Sequence, residues 1–264
     1  MNSQTVQYSV KESVATVTMS RPEKYNACNG QMLRELQAAI QEARQDKSVR
    51  AVILTGAGKA FCSGADLADL GDDFDLRNPF DIRRWLNDLF HPIILGIQEM
   101  EKPWIASVNG PAVGAGCQLA LACDLVLMAE EAYLCEIFNK RGLVVDLGGT
   151  YFLPRIIGAH KAKELAFFGD KISGKQCVEL GLANRSMPLN QLASITAEWS
   201  QKLAQGATRA IGLTKLGINR GVQKSLEEAL IYEAQAQGLV VNTEDVLEGV
   251  RAFLEKREPR FTGK

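Results

Sequence analysis

Hydrophobic and polar positions follow two different rhythms in the first 140 residues. VQYSVKESVATVTM alternates apolar and β-branched residues as two short strands around a turn do, and VRAVILTGAG predicts a buried strand that runs into a glycine loop. GQMLRELQAAIQEARQD repeats apolar residues every three or four positions, which predicts an amphipathic helix. PFDIRRWLNDLFHPIILGIQEM predicts a longer amphipathic helix that bends near Pro92. Strands and helices therefore alternate along this part of the chain.

The alternation continues and then gives way to helices. PWIASVNGPAVGAG predicts a strand and a turn of small residues, CQLALACDLVLMAE a short helix and a strand, and AYLCEIF another strand. From about residue 148 onward helical patterns dominate. We therefore predict an α/β fold with a helical C-terminal region. Periodicity leaves open whether the first part is a doubly wound sheet or a spiral of β-β-α turns.

Composition limits the classes of partner. The 264 residues are 46% hydrophobic and 23% charged, with a formal net charge of -1. The basic residues are scattered, which disfavours nucleic acid as a partner, and no apolar run is long enough to span a membrane. The N-terminus shows no basic region followed by an apolar core, so we expect a cytoplasmic location.

The cysteines and histidines restrict the chemistry. Because no CxxC pair occurs, we predict buried free thiols and no zinc site. The cysteines are Cys28, Cys62, Cys117, Cys123, Cys135 and Cys177. Only His91 and His160 could serve as imidazole bases or ligands, which disfavours a metal site or a Ser–His–Asp triad. Any chemistry should therefore rest on carboxylates, backbone dipoles or thiols.

Two segments rich in glycine and small residues follow predicted strands. In TGAGKAFCSGADL (55–67), such residues allow a ligand to approach the backbone closely, although a tight turn would use them equally. In VNGPAVGAGCQLALACDL (108–125), Gly114, Ala115 and Gly116 precede a predicted helix near Cys117. The free N–H groups of a first helical turn can stabilise an oxyanion, and close helix packing is the alternative explanation.

A third segment, RGLVVDLGGTYFLPRIIG (141–158), places Asp146 among apolar residues. Apolar surroundings disfavour the charged form of a carboxyl group, so its pKa rises toward the range of a general base. The alternative is that Asp146 caps a helix that begins near Thr150.

Five segments, in this order, resemble the crotonase (enoyl-CoA hydratase/isomerase) superfamily across essentially the whole chain. They are RPEKYNA, AFCSGADL, KPWIASVNGPAVGAGCQLALACD, GLVVDLGGTYFLPRIIG and EGVRAFLEKREPRFTGK. Within the superfamily the pattern is most similar to that of the 1,2-epoxyphenylacetyl-CoA isomerases. The resemblance implies a spiral of β-β-α turns as the core (1–200) and a C-terminal helical region (201–264) that builds homotrimers or dimers of trimers.

The resemblance also implies an acyl-CoA thioester as substrate and no separate cofactor. Its thioester oxygen would meet the backbone N–H groups of Ala65 and Ala115, which form an oxyanion hole. Position 115 is alanine where several relatives have glycine, but a main-chain donor does not need a particular side chain.

Contacts with CoA follow from the same resemblance. They are assigned to Lys24 and Ala27 in the N-terminal loop and to Asp66 and Leu67 along the pantetheine path. Capping of a following helix is the alternative for Asp66. Residues 68–90 would supply the acyl pocket, with 68–80 as an acidic mobile loop. Trp85 and Phe90 are candidates for its wall, although their spacing of five does not predict a shared helix face.

The reaction depends on carboxylates. Hydratases of the superfamily carry two glutamates where this chain has Gln118 and Phe138. We therefore favour an isomerase-type proton shift through Asp146, which one carboxylate can perform. If AYLCEIF is extended throughout, Glu136 shares a face with Phe138 and points into the same pocket. A salt bridge from Glu136 to a nearby basic residue, such as Lys140 or Arg141, is the alternative.

Two other functions remain open at this point. One is a hydratase or hydrolase in which Glu136 or Gln118 positions water. The other is a non-catalytic subunit that binds acyl-CoA, which the missing glutamates would explain.

Overall fold

The computed structural model describes residues 4–70, 74–75 and 77–264, and its strands form two sheets. The strands are β1 (Val6–Lys11), β2 (Val14–Met19), β3 (Ala51–Gly56), β4 (Trp104–Val108), β5 (Ala112–Val113), β6 (Leu125–Ala129), β7 (Tyr133–Cys135), β8 (Lys171–Ser173) and β9 (Arg185–Met187). The larger sheet has the order β1-β2-β3-β4-β6-β9, and only its first pair is antiparallel. The smaller sheet has the order β5-β7-β8.

The helices lie between the strands and then follow them. They are α1 (Gly30–Gln45), α2 (Pro79–Trp85), α3 (His91–Glu99), α4 (Ala115–Leu121), α5 (Gly149–Phe168), α6 (Gly174–Glu179), α7 (Leu189–Gln205), α8 (Thr208–Gly221), α9 (Leu226–Val240) and α10 (Glu244–Glu255). A π-helical turn (Leu86–Phe90) joins α2 to α3 just before Pro92, where the sequence predicts a bend.

The chain winds as a spiral, because successive turns place one strand in each sheet. β4 and β6 lie in the larger sheet, and β5 and β7, which follow them, lie in the smaller one. Two isolated parallel bridges, Cys28 to Ala65 and Cys62 to Ala112, extend the smaller layer toward the N-terminus. A doubly wound fold would hold a single sheet, so the structure decides between the two predicted architectures in favour of the spiral.

The core forms where the larger sheet packs against helices. Every residue of β4 is buried, as expected for a central parallel strand covered on both faces. Helix α1 buries one face, and the side chain of its cap residue Asn29 accepts a hydrogen bond from the Met32 N–H at 3.0 Å. Its buried residues include all four that helical periodicity predicts: Leu33, Leu36, Ile40 and Ala43.

The region after residue 148 is mainly helical, with two exceptions. Strands β8 and β9 were not predicted, because three residues carry too little periodicity to indicate a strand. Gly158 (φ 75°, ψ 160°) interrupts α5. The predicted boundary at residue 200 falls inside α7, and the division into two regions stays a prediction.

Two further predictions concern membrane-spanning helices and the loop 68–80. None of the described helices is both long and apolar enough to cross a membrane. Residues 71–73 and 76 of the predicted mobile loop lie outside the described residues.

Candidate active site

Residues from distant parts of the chain line a cavity of about 560 Å³. Five chain segments line it: the loop around residues 23–27, the turn 63–70, the helical stretch 82–90, the start of α4, and residues 137–147. All of the predicted oxyanion and CoA-binding residues lie on it, namely Lys24, Ala27, Ala65, Asp66, Leu67 and Ala115. Asp146 lies on it as well. Segments far apart in the chain therefore converge on one site.

The Ala65 amide is free because of the way its strand pairs. In the parallel bridge between Cys28 and Ala65, the Cys28 N–H donates to the Gly64 carbonyl (2.8 Å) and the Asp66 N–H donates to the Cys28 carbonyl (2.9 Å). The bridge uses the residues on either side of Ala65 and leaves the Ala65 N–H without an acceptor in the described chain. A ligand oxygen can satisfy this donor.

The Ala115 amide is free because it opens a helix. Ala115 is the first residue of α4, and first-turn N–H groups have no acceptor within their own helix. Gly114 takes a positive φ of 53° and turns the chain into α4. A Cβ added at Gly64 would lie 3.8 Å from the Ala115 nitrogen, so the segment before Ala65 packs against this helix start. The two free amides therefore lie on neighbouring segments of one cavity wall.

Asp66 fixes the turn after Ala65. Its Oδ2 lies 2.9 Å from Arg21 Nη1, and both side chains are about nine-tenths buried. Arg21 Nη1 also donates to the Ala27 carbonyl at 2.6 Å. The capping alternative for Asp66 is wrong, because a turn and not a helix follows; Asp66 Oδ1 accepts from the Ala68 N–H (3.3 Å) within it.

Asn26 ties the N-terminal loop to the turn that follows β3. It is fully buried, and its Nδ2 donates to the carbonyls of Ala57 (2.9 Å) and Ala60 (2.8 Å). Neither Arg21 nor Asn26 was predicted as a site residue, although both lie within the RPEKYNA motif. An arginine and an asparagine in a polar loop give no signal of burial, so only the resemblance could have indicated them.

Asp146 is a partly buried carboxyl group on the cavity. Burial raises its pKa from the ordinary value to about 6. Its Oδ1 is buried and has no hydrogen-bond partner in the described chain. The capping alternative is wrong, since Gly148 is the N-cap residue of α5. Asp146 is thus poised to exchange a proton with a ligand near neutral pH.

The turn after Asp146 is conformationally strained. Leu147 has φ 48° and Gly148 has φ 88°, so two successive residues adopt left-handed backbone conformations. Such a conformation is costly for leucine and persists only where the surroundings hold it, which is common at functional sites.

Glu136 and Gln118 lie behind the cavity wall. Strand β7 ends at Cys135 and a 3₁₀ turn (Ile137–Arg141) follows, so the predicted shared strand face with Phe138 is wrong. Both side chains are fully buried, and neither is among the described residues that line the cavity, whereas Phe138 is.

The Glu136 carboxyl group is held by neutral donors. Gln118 Nε2 donates to both of its oxygens (3.0 and 2.7 Å), and the Cys117 thiol donates to Oε1 at 3.0 Å. No salt bridge to Glu136 is present in the described chain, so the alternative with Lys140 or Arg141 is wrong. Burial raises the pKa of Glu136 to about 7, and the negative charge of Asp146 adds to the effect.

Aromatic side chains form part of the cavity wall. Trp85 and Phe90 line it with ring centroids 4.8 Å apart, and Phe74 lies 6.0 Å from Trp85. The π-helical turn Leu86–Phe90 brings residues five apart onto one face, which a regular α-helix does not do. This local geometry explains why periodicity failed to predict the pairing.

The chain matches a known family over almost its entire length. Residues 9–264 match the family described as Enoyl-CoA hydratase/isomerase. A "Probable enoyl-CoA hydratase" of Rhodobacter capsulatus is 37% identical over 264 residues, which cover 100% of both chains. The "1,2-epoxyphenylacetyl-CoA isomerase" of Escherichia coli is 37% identical over 255 residues, which cover 97% of each chain.

Solved structures agree with these relatives. The crystal structure of an enoyl-CoA hydratase from Bacillus anthracis superposes with a TM-score of 0.92 at 34% identity, covering 99% of this chain and 100% of that one. Sequence and fold therefore lead to one conclusion: the chain is a member of the enoyl-CoA hydratase/isomerase family.

Proposed function

We propose that this protein catalyses an isomerase-type proton shift on an unsaturated acyl-CoA, with Asp146 as the proton shuttle. The supporting observation is the pairing of one unpartnered carboxyl oxygen with two free amides on the same cavity. Asp146 Oδ1 has no donor in the described chain, and the N–H groups of Ala65 and Ala115 have no acceptor there. A thioester enolate and its proton would complement all three groups.

The chemistry needs one base and one oxyanion site. With a 3-enoyl thioester, the Asp146 carboxylate removes a proton from C2, and the C–H electron pair moves into the dienolate. The two N–H groups of Ala65 and Ala115 would stabilise the negative oxygen, each contributing roughly 3 kcal/mol. The protonated Asp146 then returns the proton to C4, the double bond moves to C2–C3, and no water is consumed.

The acyl group we infer is one with a flat, unsaturated body. Trp85, Phe90, Phe74 and Phe138 all line the cavity that carries the two free amides. Aromatic walls favour aromatic or conjugated ligands through stacking and edge contacts. One relative at 37% identity is named for a phenylacetyl-derived substrate, which supports an aromatic-derived acyl-CoA.

The second candidate is an enoyl-CoA hydratase. Several relatives carry that name, including a "Short-chain-enoyl-CoA hydratase" of Clostridium acetobutylicum at 35% identity. Against it, Phe138 is the residue that faces the cavity where the superfamily's second glutamate is expected, and Gln118 is buried behind the wall. Water addition would then depend on Asp146 alone.

The CoA moiety would follow the wall that leads out past Leu67. Lys24 is exposed at this end, where its ammonium group can meet a phosphate. Leu67 is 52% exposed beside it and offers apolar surface to the pantetheine arm. The Asp66 carboxylate forms an ion pair with Arg21. We therefore assign CoA binding at this position to the backbone of the turn and not to the carboxylate.

A homotrimer or a dimer of trimers is the assembly we infer. Helices α9 and α10 expose large apolar side chains, among them Leu226, Leu247, Phe253 and Leu254 at 65–83% exposure. So much exposed apolar surface on two adjacent helices indicates a protein interface. Light scattering coupled to size-exclusion chromatography would report the mass, and a monomer at micromolar concentration would contradict this assembly.

The test is mass spectrometry of acyl-CoA esters incubated with the enzyme in deuterated water. The panel holds 2-enoyl, 3-enoyl and aryl-acetyl-epoxide CoA esters. We expect deuterium uptake and a shifted double bond without a gain in mass of one water. Asp146→Asn should lower turnover by about 10³-fold because it removes the base, whereas the matched exposed variant Asp170→Asn should retain it.

Each other result has a definite meaning. A gain of one water would establish the hydratase. Binding of CoA esters without turnover of any member of the panel would establish the non-catalytic subunit. Full activity of Asp146→Asn would remove Asp146 from the mechanism.

A further inference from the structure

Glu136 is a buried carboxyl group, and among the described residues its hydrogen-bond partners carry no positive charge. It is fully buried, and it is held by the Gln118 amide and the Cys117 thiol. Burying a carboxyl group costs free energy that only good hydrogen bonds offset. An apolar residue would fill this space at less cost, so a role beyond packing is indicated.

The Gln118 amide links Glu136 to the turn that carries Asp146. Its Nε2 contacts both Glu136 oxygens, which fixes the orientation of the amide. The same amide packs against Gly149, because a Cβ added there would lie 2.5 Å from Gln118 Nε2. The Gly149 N–H in turn donates to the Asp146 carbonyl at 2.8 Å. Contacts therefore run without a gap from Glu136 to the backbone of Asp146.

The contact between Gln118 and Gly149 lies next to a strained part of the backbone. Leu147 and Gly148, between Asp146 and Gly149, both have positive φ. Leu147 is also 97% buried, so its side chain cannot move freely to relieve the strain. A turn of this kind keeps its shape only when both of its ends are held, and Gln118 holds the Gly149 end.

We propose that Glu136 is a positioning residue, which locks the Gln118 amide against Gly149 and thereby holds the Asp146 carboxyl group in its productive orientation. This inference rests on the proposed role of Asp146 as proton shuttle. Glu136 itself does not touch the substrate, because Phe138 and not Glu136 lies on the cavity. The other titratable groups that act on it are the Cys117 thiol and Asp146, whereas Lys140 and Arg141 on the next turn are exposed.

The experiment compares Glu136→Gln with Asp146→Asn in the deuterium-uptake assay. Glu136→Gln keeps the volume but replaces one of the two oxygens that accept from Gln118 Nε2 with an NH₂ donor, so one of the two hydrogen bonds is lost and the Gln118 amide should turn. We expect kcat to fall by about tenfold or more while KM stays within twofold, because a displaced base affects proton transfer and not binding. The control is Asp245→Asn, which alters another buried carboxyl group that hydrogen-bonds backbone amides away from the cavity.

A double variant separates positioning from simple loss of stability. Gln118→Glu combined with Glu136→Gln restores an amide–carboxylate pair with donor and acceptor exchanged. We expect it to recover kcat to within about threefold of the unaltered protein, and it serves as the test if Glu136→Gln alone does not fold.

The outcomes distinguish this inference from the function on which it rests. If Glu136→Gln keeps its kcat while Asp146→Asn loses turnover, Glu136 is not a positioning residue and the proposed function stands. If the exchanged pair is folded but as slow as Asp146→Asn, the hydrogen-bonded link does not position the base, and the inference is again overturned. If Asp146→Asn itself is active, Asp146 is not the proton shuttle, and both the proposed function and this inference are overturned.

Discussion

Arg21 and Asp66 form an ion pair of 2.9 Å directly after the free Ala65 amide. The pair ties the N-terminal loop to the turn that lines the cavity, since Arg21 also donates to the Ala27 carbonyl. Both partners are about nine-tenths buried, so the Asp66 carboxylate depends on Arg21 for compensation of its charge, whereas the Arg21 guanidinium also lies 3.5 Å from Asp69 Oδ2.

Arg21→Met should therefore damage both stability and activity. It leaves the Asp66 carboxylate buried without its partner, which costs about 3 kcal/mol in comparable pairs. We expect a lower free energy of unfolding in urea and a decrease of about tenfold in kcat/KM as the Ala65 amide shifts. Lys202→Met, which breaks the exposed pair with Glu198, is the control and should change neither quantity. Equal effects of the two substitutions would contradict a special role for Arg21.

Gly116→Ala should be harmful although alanine usually favours helices. A Cβ at position 116 would overlap the Cys62 carbonyl oxygen, so the start of α4 and the Ala115 amide would have to move. We expect a loss of about 2 kcal/mol in stability and at least a 100-fold loss in kcat.

The control is Gly221→Ala, at the end of α8, where an added Cβ meets nothing within 4 Å. It should be neutral or stabilise by up to about 1 kcal/mol, because alanine loses less conformational entropy than glycine on folding. Thermal unfolding and deuterium uptake would measure both variants. A fully active Gly116→Ala enzyme would show that the position of the Ala115 amide does not matter.

The pH dependence of kcat/KM should report the pKa of Asp146. Burial raises this pKa to about 6, and the group must be ionised to accept a proton. We expect kcat/KM to fall about tenfold per pH unit below 6 and to reach a plateau above it. A profile that stays flat down to about pH 5 would mean that an unperturbed carboxyl group is the base.

The same pKa shift has a consequence for stability. Because the folded-state pKa of Asp146 lies above its unfolded value, its contribution is fully present below about pH 4 and is lost as pH rises through 6. Asp146→Asn removes the buried charge, so it should be more stable than the unaltered protein at about pH 8 but not at about pH 4. Urea unfolding at the two pH values would show the difference, and a destabilised Asp146→Asn at pH 8 would contradict it.

Trp85→Leu should alter the choice of acyl group. Trp85 contacts Phe90 and Phe74 edge to face, and each such contact contributes about 1 kcal/mol in addition to the burial of apolar surface. We expect KM for an aryl-acyl-CoA to rise about tenfold, with little change for a four-carbon enoyl-CoA. Trp199→Leu, which alters a tryptophan packed against the core away from the cavity, is the control. If Trp85→Leu changed KM equally for the aryl-acyl-CoA and the four-carbon enoyl-CoA, the acyl group would not bind against Trp85.

Much of the fold can be predicted from periodicity. Helix α1 and strands β1 to β4 carry enough residues to show their repeat, and the structure confirms them. The sheet order could not be predicted, because alternation of strands and helices is the same in one sheet or two. Strands β8 and β9 have three residues each and leave no pattern to detect.

The candidate site divides in a similar way. Asp146 and the small-residue turns before Ala65 and Ala115 could be found from the sequence, because each combines a chemical type with a local context. Glu136 was predicted to face the cavity, but β7 ends at Cys135 and the Glu136 side chain is buried behind the cavity wall. Trp85 and Phe90 pair only because a π-helical turn changes the local periodicity.

By itself the sequence determined the chemistry available to this protein: few histidines, one carboxyl group among apolar residues and two glycine-rich turns. These are properties of residue type and of short segments, which a linear chain already expresses. Only the tertiary structure decided which side chains face the cavity and which, like Glu136 and Gln118, support it from behind. Burial and contact depend on segments more than a dozen residues apart, and their relative positions are set only when the whole core packs.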